Sequence, residues 1–199
     1  LPESTPNSRL ATLARPGRVA MLLGFPITLT LAVLNPRANI VRALAGSMWP
    51  HDEERVYARD FEVPAGGGVG TARAMARAYS VFATGGRELG LRPDTLRALT
   101  APAVKPSRGF YDECMMSDGA RFSLGFMKPG PVWSFGSEDS FGAPGTGGSL
   151  GFADPRAGLG YAYVTSGMGT SVTGDPRELA LRNAVYSVIA AETAAQPWK

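Results

Sequence analysis

The spacing of apolar and polar positions changes period twice along the chain. Over residues 72–83, Ala72, Met75, Ala76, Tyr79, Phe82 and Ala83 recur every three or four positions, the spacing of a helix buried on one side. Thr71 stands where an N-cap belongs, and Gly85-Gly86 can end the helix. "RPDTLRALTAP" repeats the pattern over a shorter length and is stopped by Pro102, and "AVKPSRGFYDECMMSDGA" after it reads as a polar loop. The period then falls to two. "RFSLGFM" (121–127), "GSLGFAD" (148–154) and "LGYAYVTS" (159–166) read as strands, the last two joined by "PRAG" into an antiparallel hairpin. Helical spacing returns where Asp175, Pro176 and Glu178 predict a capping-box start. In that final helix Leu181, Ala184, Val185, Val188 and Ile189 share one face.

Helices, then strands, then a helix predict an α+β fold: an antiparallel sheet flanked by helices. At 199 residues and 44% hydrophobic, the chain is long enough for one sizeable core. "VAMLLGFPITLTLAVL" (19–34) is apolar enough to imitate a membrane span, but it is shorter than the ~20 residues a span needs and Pro26 interrupts it. It lies too far from the start for a secretory core and reads as a buried or cleft-lining helix pair. The formal net charge is only +3, without a run of like charges, which argues against a nucleic-acid or membrane-surface partner. Cys114 and His51 are the only residues of their kinds, so an intrachain disulfide and a Cys/His zinc site are excluded. No spacing supports a carboxylate metal site, and no cofactor is expected. Cys114 has no basic neighbour in sequence and reads as an inert thiol; His51, among acids in "WPHDEE", reads as a loop residue.

The segment "FGAPGTGGSLGFAD" carries Gly142, Gly145, Gly147, Gly148 and Gly151 on the edge and body of a strand, where each weakens it. A tight entry turn at "APGTGG" is the plainer explanation; close approach of a backbone, side chain or ligand is the other. This segment, with "VPAGGGVGTARAMARAYSVFATGG" (63–86) and "RFSLGFM", resembles the C-terminal half of serine hydrolases of the beta-lactamase and penicillin-binding-protein superfamily, in its esterase-like branch. The resemblance runs from about residue 55 onward and rests on the order of three blocks.

The resemblance implies a beta-lactamase/transpeptidase-like sheet, incomplete on its N-terminal side, with residues 1–62 as part of a helical subdomain lining the cleft and 63–199 as the sheet domain. It implies a small-molecule ester or amide substrate. In that superfamily a strand beside the active site carries Lys-Thr-Gly, or His-x-Gly in the esterase branch, and Ala143-Pro144-Gly145 stand at those positions. Thr146 then occupies the place whose backbone N–H is an oxyanion-hole donor, with Ala143, Pro144, Gly145 and Gly147 lining the substrate. A side chain at Gly145 would collide with the nucleophile region.

The departures bear on function. The family nucleophile lies in Ser-x-x-Lys, with Tyr-x-Asn or Tyr-x-Ser as the second element, and neither occurs here. Lys105, Lys128 and Lys199 are the only lysines, and none follows a serine by three residues. The chain therefore reads as a C-terminal portion of such a hydrolase, without catalytic residues of its own. The alternative is an inactive binding or scaffolding protein that keeps the fold, for which Ala143 in place of Lys or His speaks. A cytoplasmic location is expected, with a periplasmic or secreted one open for a full-length protein. Gly147-Gly148-Ser149-Leu150-Gly151 also satisfies Gly-x-Ser-x-Gly, but that elbow needs a strand-to-helix turn and a histidine after the serine. Ser149 is followed by a strand, and His51 precedes it.

Overall fold

The computed structural model describes residues 27–44 and 70–195, except 115, 132, 146, 168, 172 and 173. Helices α1 (Ile27–Val33) and α2 (Asn39–Leu44) pack against each other. The 19–34 segment reaches only α1; its residues 19–26 lie outside the described residues, as does His51. Burial of this pair is one-sided: Leu29 and Ile40 are buried, but Ile27, Leu31 and Leu34 are exposed, so the described part of the 19–34 stretch is not buried throughout. No helix among the described residues is long and apolar enough to cross a membrane.

Helix α3 (Ala72–Ala83) begins as its sequence predicts. The Thr71 hydroxyl accepts from the Ala74 N–H, and Gly85 and Gly86 follow with positive φ. Helix α4 (Pro93–Thr100) has proline at its first turn. The loop reading of 103–120 is corrected by a small hairpin, β1 (Tyr111–Asp112) with β2 (Ser117–Asp118). "RFSLGFM" is not one strand but two: β3 (Phe122–Ser123) and β4 (Phe126–Met127) fold back on each other. The two turn residues, Leu124 (φ 49°) and Gly125 (φ 83°), are both left-handed, as a two-residue turn matched to strand twist requires. Leucine is a rare choice there, so the pattern alone gave no sign of the turn.

The main sheet runs β3–β4–β5–β6–β7, antiparallel throughout, with β5 at Phe141–Pro144, β6 at Leu150–Asp154 and β7 at Leu159–Tyr163. The "PRAG" hairpin joins β6 to β7 as expected. These two strands alternate large with small: Leu150, Phe152, Leu159, Tyr161 and Tyr163 belong to one face, Gly151, Ala153, Gly160 and Ala162 to the other. The large face packs with Met127, Phe135 and Trp133 beneath the last helix, α5 (Pro176–Ala195), through Val185 and Tyr186. The small face receives α3, with Ala83, Leu99, Phe141, Tyr79 and Phe82 completing that second cluster.

Helix α5 departs from its sequence reading. Its buried positions are Glu178 and Arg182, whose Nε donates to Glu178 Oε1 at 2.9 Å, while Leu181 and Val188 are 48% and 57% exposed. The carboxylate of Glu178 is taken by Arg182, so the reciprocal half of the capping box is not made; Asp175 caps alone, accepting from the Arg177 N–H at 3.0 Å. Apolar spacing is blind to a paired charge, and a paired charge can occupy a buried face.

Candidate functional site

Strand β5 changes character along its four residues. Phe141 and Gly142 are buried, Ala143 is exposed and Pro144 is half-buried. The cause is the shortness of β4, which pairs with β5 only at Met127↔Gly142, whereas β6 pairs with all four residues out to Pro144↔Leu150. The C-terminal half of β5 is therefore an edge. Strand alternation turns the Gly145 N–H to β6, where it donates to the Ser149 carbonyl at 2.7 Å, and turns Pro144 the opposite way, to the open side. A proline there strands no donor, which is why the residue is tolerated inside a five-stranded sheet.

The strand ends in a tight turn closed by the Gly148 N–H on the Gly145 carbonyl at 3.2 Å, with Gly147 at φ 88° in its third position. Only glycine takes that conformation without strain. Of the sequence-assigned residues, Ala143, Pro144, Gly145 and Gly147 thus fall on one strand end and one turn. Thr146 lies outside the described residues. Ser149 sits between this turn and β6, so the Gly-x-Ser-x-Gly match is a strand-to-strand connection.

The glycines have individual neighbours. A Cβ on Gly151 would meet the Tyr79 ring of α3 at 2.6 Å, and one on Gly148 would meet the Asp175 carboxylate. At Gly145 the obstacle is the Ser149 hydroxyl, a local neighbour the sequence did not single out. Gly142 faces the backbone of Gly151 and Phe152. Close approach of protein atoms thus accounts for four of these positions, alongside the substrate approach that the resemblance implies at Gly145.

Behind the turn lies a cavity of about 270 Å³ bordered by Trp133, Pro144, Gly145, Ser149, Ser171 and Glu178. It is near the small end of ligand-sized pockets. At its α5 side the Arg182 guanidinium spans Glu178 and the Ser134 carbonyl (2.8 Å). Burial, with the Glu178 carboxylate next, pushes the Tyr161 hydroxyl pKa up, keeping that phenol neutral. Asp175 is held below the usual carboxylate range chiefly by hydrogen bonds from Arg177.

Nothing in the sequence marks Lys128 beyond the missing serine three residues before it. It is 2% exposed; its Nζ donates to the Leu99 carbonyl at 2.7 Å and lies 5.3 Å from the Phe141 ring centre. Desolvation lowers its pKa, opposed by Asp139. The ammonium caps the C-terminal turn of α4 and is committed to a carbonyl. Cys114 is half-buried and free. Among the described residues no cluster of three or more His, Cys, Asp or Glu side chains could hold a metal.

Residues 23–185 match the family model described as Beta-lactamase. The chain is 36% identical over 107 residues to the esterase/beta-lactamase LipL of Mycobacterium tuberculosis (strain ATCC 25618 / H37Rv), covering 53% of this chain and 24% of that protein. Among solved structures it is similar to a penicillin-binding protein homolog from Caulobacter crescentus (33% identity, TM-score 0.49, 59% of this chain and 31% of that one). It is also similar to EstA from Arthrobacter nitroguajacolicus Rue61a (35% identity, TM-score 0.48, 61% and 32%). The chain therefore spans about a quarter to a third of the length of these relatives.

Proposed function

From the premise that this chain belongs to the beta-lactamase family, we propose that it forms one wall of an acyl-serine hydrolase acting on small esters or amides. In this reading residues 63–199 are the sheet domain and 1–62 contribute to the cleft. The observation that supports it is the half-open end of β5, whose residues beyond Gly142 pair with β6 only and run into a glycine turn, where the resemblance puts the family's active-site strand. Ala143 to Gly145 would lie along the acyl group. The Thr146 N–H would bind the oxyanion, a stabilisation of charge that develops only in the transition state. No Ser-x-x-Lys and no Tyr-x-Asn or Tyr-x-Ser occurs in the 199 residues, and in this reading the serine, its lysine and the tyrosine come from outside them.

The 199-residue chain alone is therefore expected to hydrolyse neither p-nitrophenyl acetate nor nitrocefin above background. Saturable turnover would overturn the assignment of its chemistry to residues outside the chain. In a form of the protein that carries a Ser-x-x-Lys segment upstream of residue 1, a fluorophosphonate probe should label the serine. Gly145→Val should reduce labelling more than a hundredfold, exceeding the ~3 kcal/mol expected for loss of one oxyanion donor. Ala143→His should not reduce it. The comparison is made in a Ser149→Ala background, which removes the local obstacle to a Cβ at Gly145. Equal labelling of Gly145→Val and its parent would show that β5 does not line the site.

A second reading, a binding protein without catalysis, draws on the exposed Ala143, a methyl group where the resemblance would put the family's lysine or histidine. It requires reversible ester or amide binding with no covalent label.

A further inference from the structure

We propose that Asp175 and Arg177 form a clasp that positions the 145–149 turn for catalysis, an inference that rests on the oxyanion reading above and adds two positioning residues to it. Asp175 is buried, its side chain 2% exposed, immediately behind the turn. Its Oδ1 accepts from the Arg177 backbone N–H (3.0 Å) and Nε (2.9 Å), and its Oδ2 accepts from Nη2 (2.7 Å). This bidentate pairing fixes the guanidinium plane, and Nη1 then reaches the Gly167 carbonyl at 3.1 Å. Two residues on, the Gly169 N–H donates to the Gly147 carbonyl at 2.7 Å. The turn is thus tied to a second strip of chain, and that strip is tied to the ion pair.

Sterics point the same way. A Cβ on Gly148 would strike Asp175 Oδ2, and one on Gly169 would strike the same oxygen and come within 2.8 Å of Arg177 Nη2. The carboxylate is wedged between two glycines, one on each strip, with no room for a side chain on either. Helix capping needs only the Asp175 carboxylate; the arginine, with 47% of its side chain exposed, adds nothing to the cap and everything to the link with Gly167. A donor aimed at a developing oxyanion must be fixed before the reaction, since movement of about 1 Å forfeits much of its effect. The clasp supplies that rigidity to a turn whose own glycines would otherwise leave it loose.

The test uses amide hydrogen exchange of the 199-residue chain by NMR. Arg177→Met should accelerate exchange at Gly169 at least tenfold and change Ala153 and Tyr161 in the sheet less than twofold. Arg177→Lys should fall between, keeping charge but not the fork. Gly169→Ala, which attacks the clasp from the other strip, should accelerate exchange at Gly148 similarly. Unchanged exchange at Gly169 in Arg177→Met overturns the clasp. In the form carrying the Ser-x-x-Lys segment, Arg177→Met should lower kcat for a p-nitrophenyl ester at least tenfold with KM within twofold, and Arg177→Lys should recover part. Faster exchange with unchanged kcat overturns the catalytic role. If the parent itself fails to acylate, the oxyanion reading falls, and exchange still decides whether the clasp holds the turn.

Discussion

Gly160→Val is expected to cost about 3 kcal/mol or more of stability, enough to lower the melting temperature by roughly 6–12 °C or leave the protein unfolded. A Cβ at this position would be driven into the backbone of α3, against Ser80 N and Cα and the Ala76 carbonyl. None of these atoms belongs to a side chain that could rotate away. Helix α3 would have to lift off β7, and with it Tyr79 and Phe82 from the cluster around Phe141 and Ala153. Gly167→Ala is the control, since its Cβ meets nothing within 4 Å and should be neutral within about 0.5 kcal/mol. Thermal melts by circular dichroism check both. A valine variant melting within 2 °C of the parent would refute the packing of α3 on β7.

Asp154→Asn is expected to destabilise by a comparable amount, about 3 kcal/mol, and to flatten the acid side of the stability profile. Asp154 is fully buried and holds three pieces of chain together. Oδ1 accepts from Ser137 Oγ (2.6 Å) and the Arg156 N–H (3.1 Å); Oδ2 accepts from the Ser137 N–H (2.9 Å) and Tyr186 Oη (2.5 Å). Each carboxylate oxygen thus faces a backbone N–H, a donor that cannot reverse. An asparagine amide would set donor against donor whichever way it turned.

Burial by itself raises the Asp154 pKa, but hydrogen bonds from Ser137, Tyr186 and backbone N–H groups outweigh it, and the net shift is downward. A carboxyl group with a lower pKa folded than unfolded contributes stability that is fully present above its unfolded value, near 4. That contribution is lost as pH falls through the folded value. Urea melts of the parent between pH 6 and 2.5 should show this loss, and Asp154→Asn should lack that component. An identical acid limb in parent and variant would remove Asp154 as its source.

Much of the fold was legible because its signals are local. Thr71 caps α3 through a bond three residues away, and Asp175 caps α5 two residues away. The alternation in "LGFAD" and "LGYAY" marks both strands of the hairpin and, with large residues on one face and small on the other, the face a helix can approach closely. Of the apolar stripe assigned to α5, Val185 packs on the core while Leu181 and Val188 stay exposed, and the fully buried positions are Glu178 and Arg182, which satisfy each other. Neither residue alone carries a sign of burial in the sequence.

What the sequence by itself determined was helices α3, α4 and α5, the Thr71 and Asp175 caps, the β6–β7 hairpin and the three blocks whose resemblance named the family. The absence of Ser-x-x-Lys was equally plain there, being a matter of spelling. Tertiary structure alone decided what each glycine is pressed against, that β4 stops short and frees the end of β5, and that Lys128 is spent on the Leu99 carbonyl. It also decided that Arg177 reaches ten residues back to Gly167 and steadies a turn thirty residues before it in the chain. The division follows range. Capping and strand alternation act within a few residues and leave a periodic trace, whereas a wedge, an edge or a buried ion pair depends on which distant segments meet, and composition at one position does not record its future neighbours.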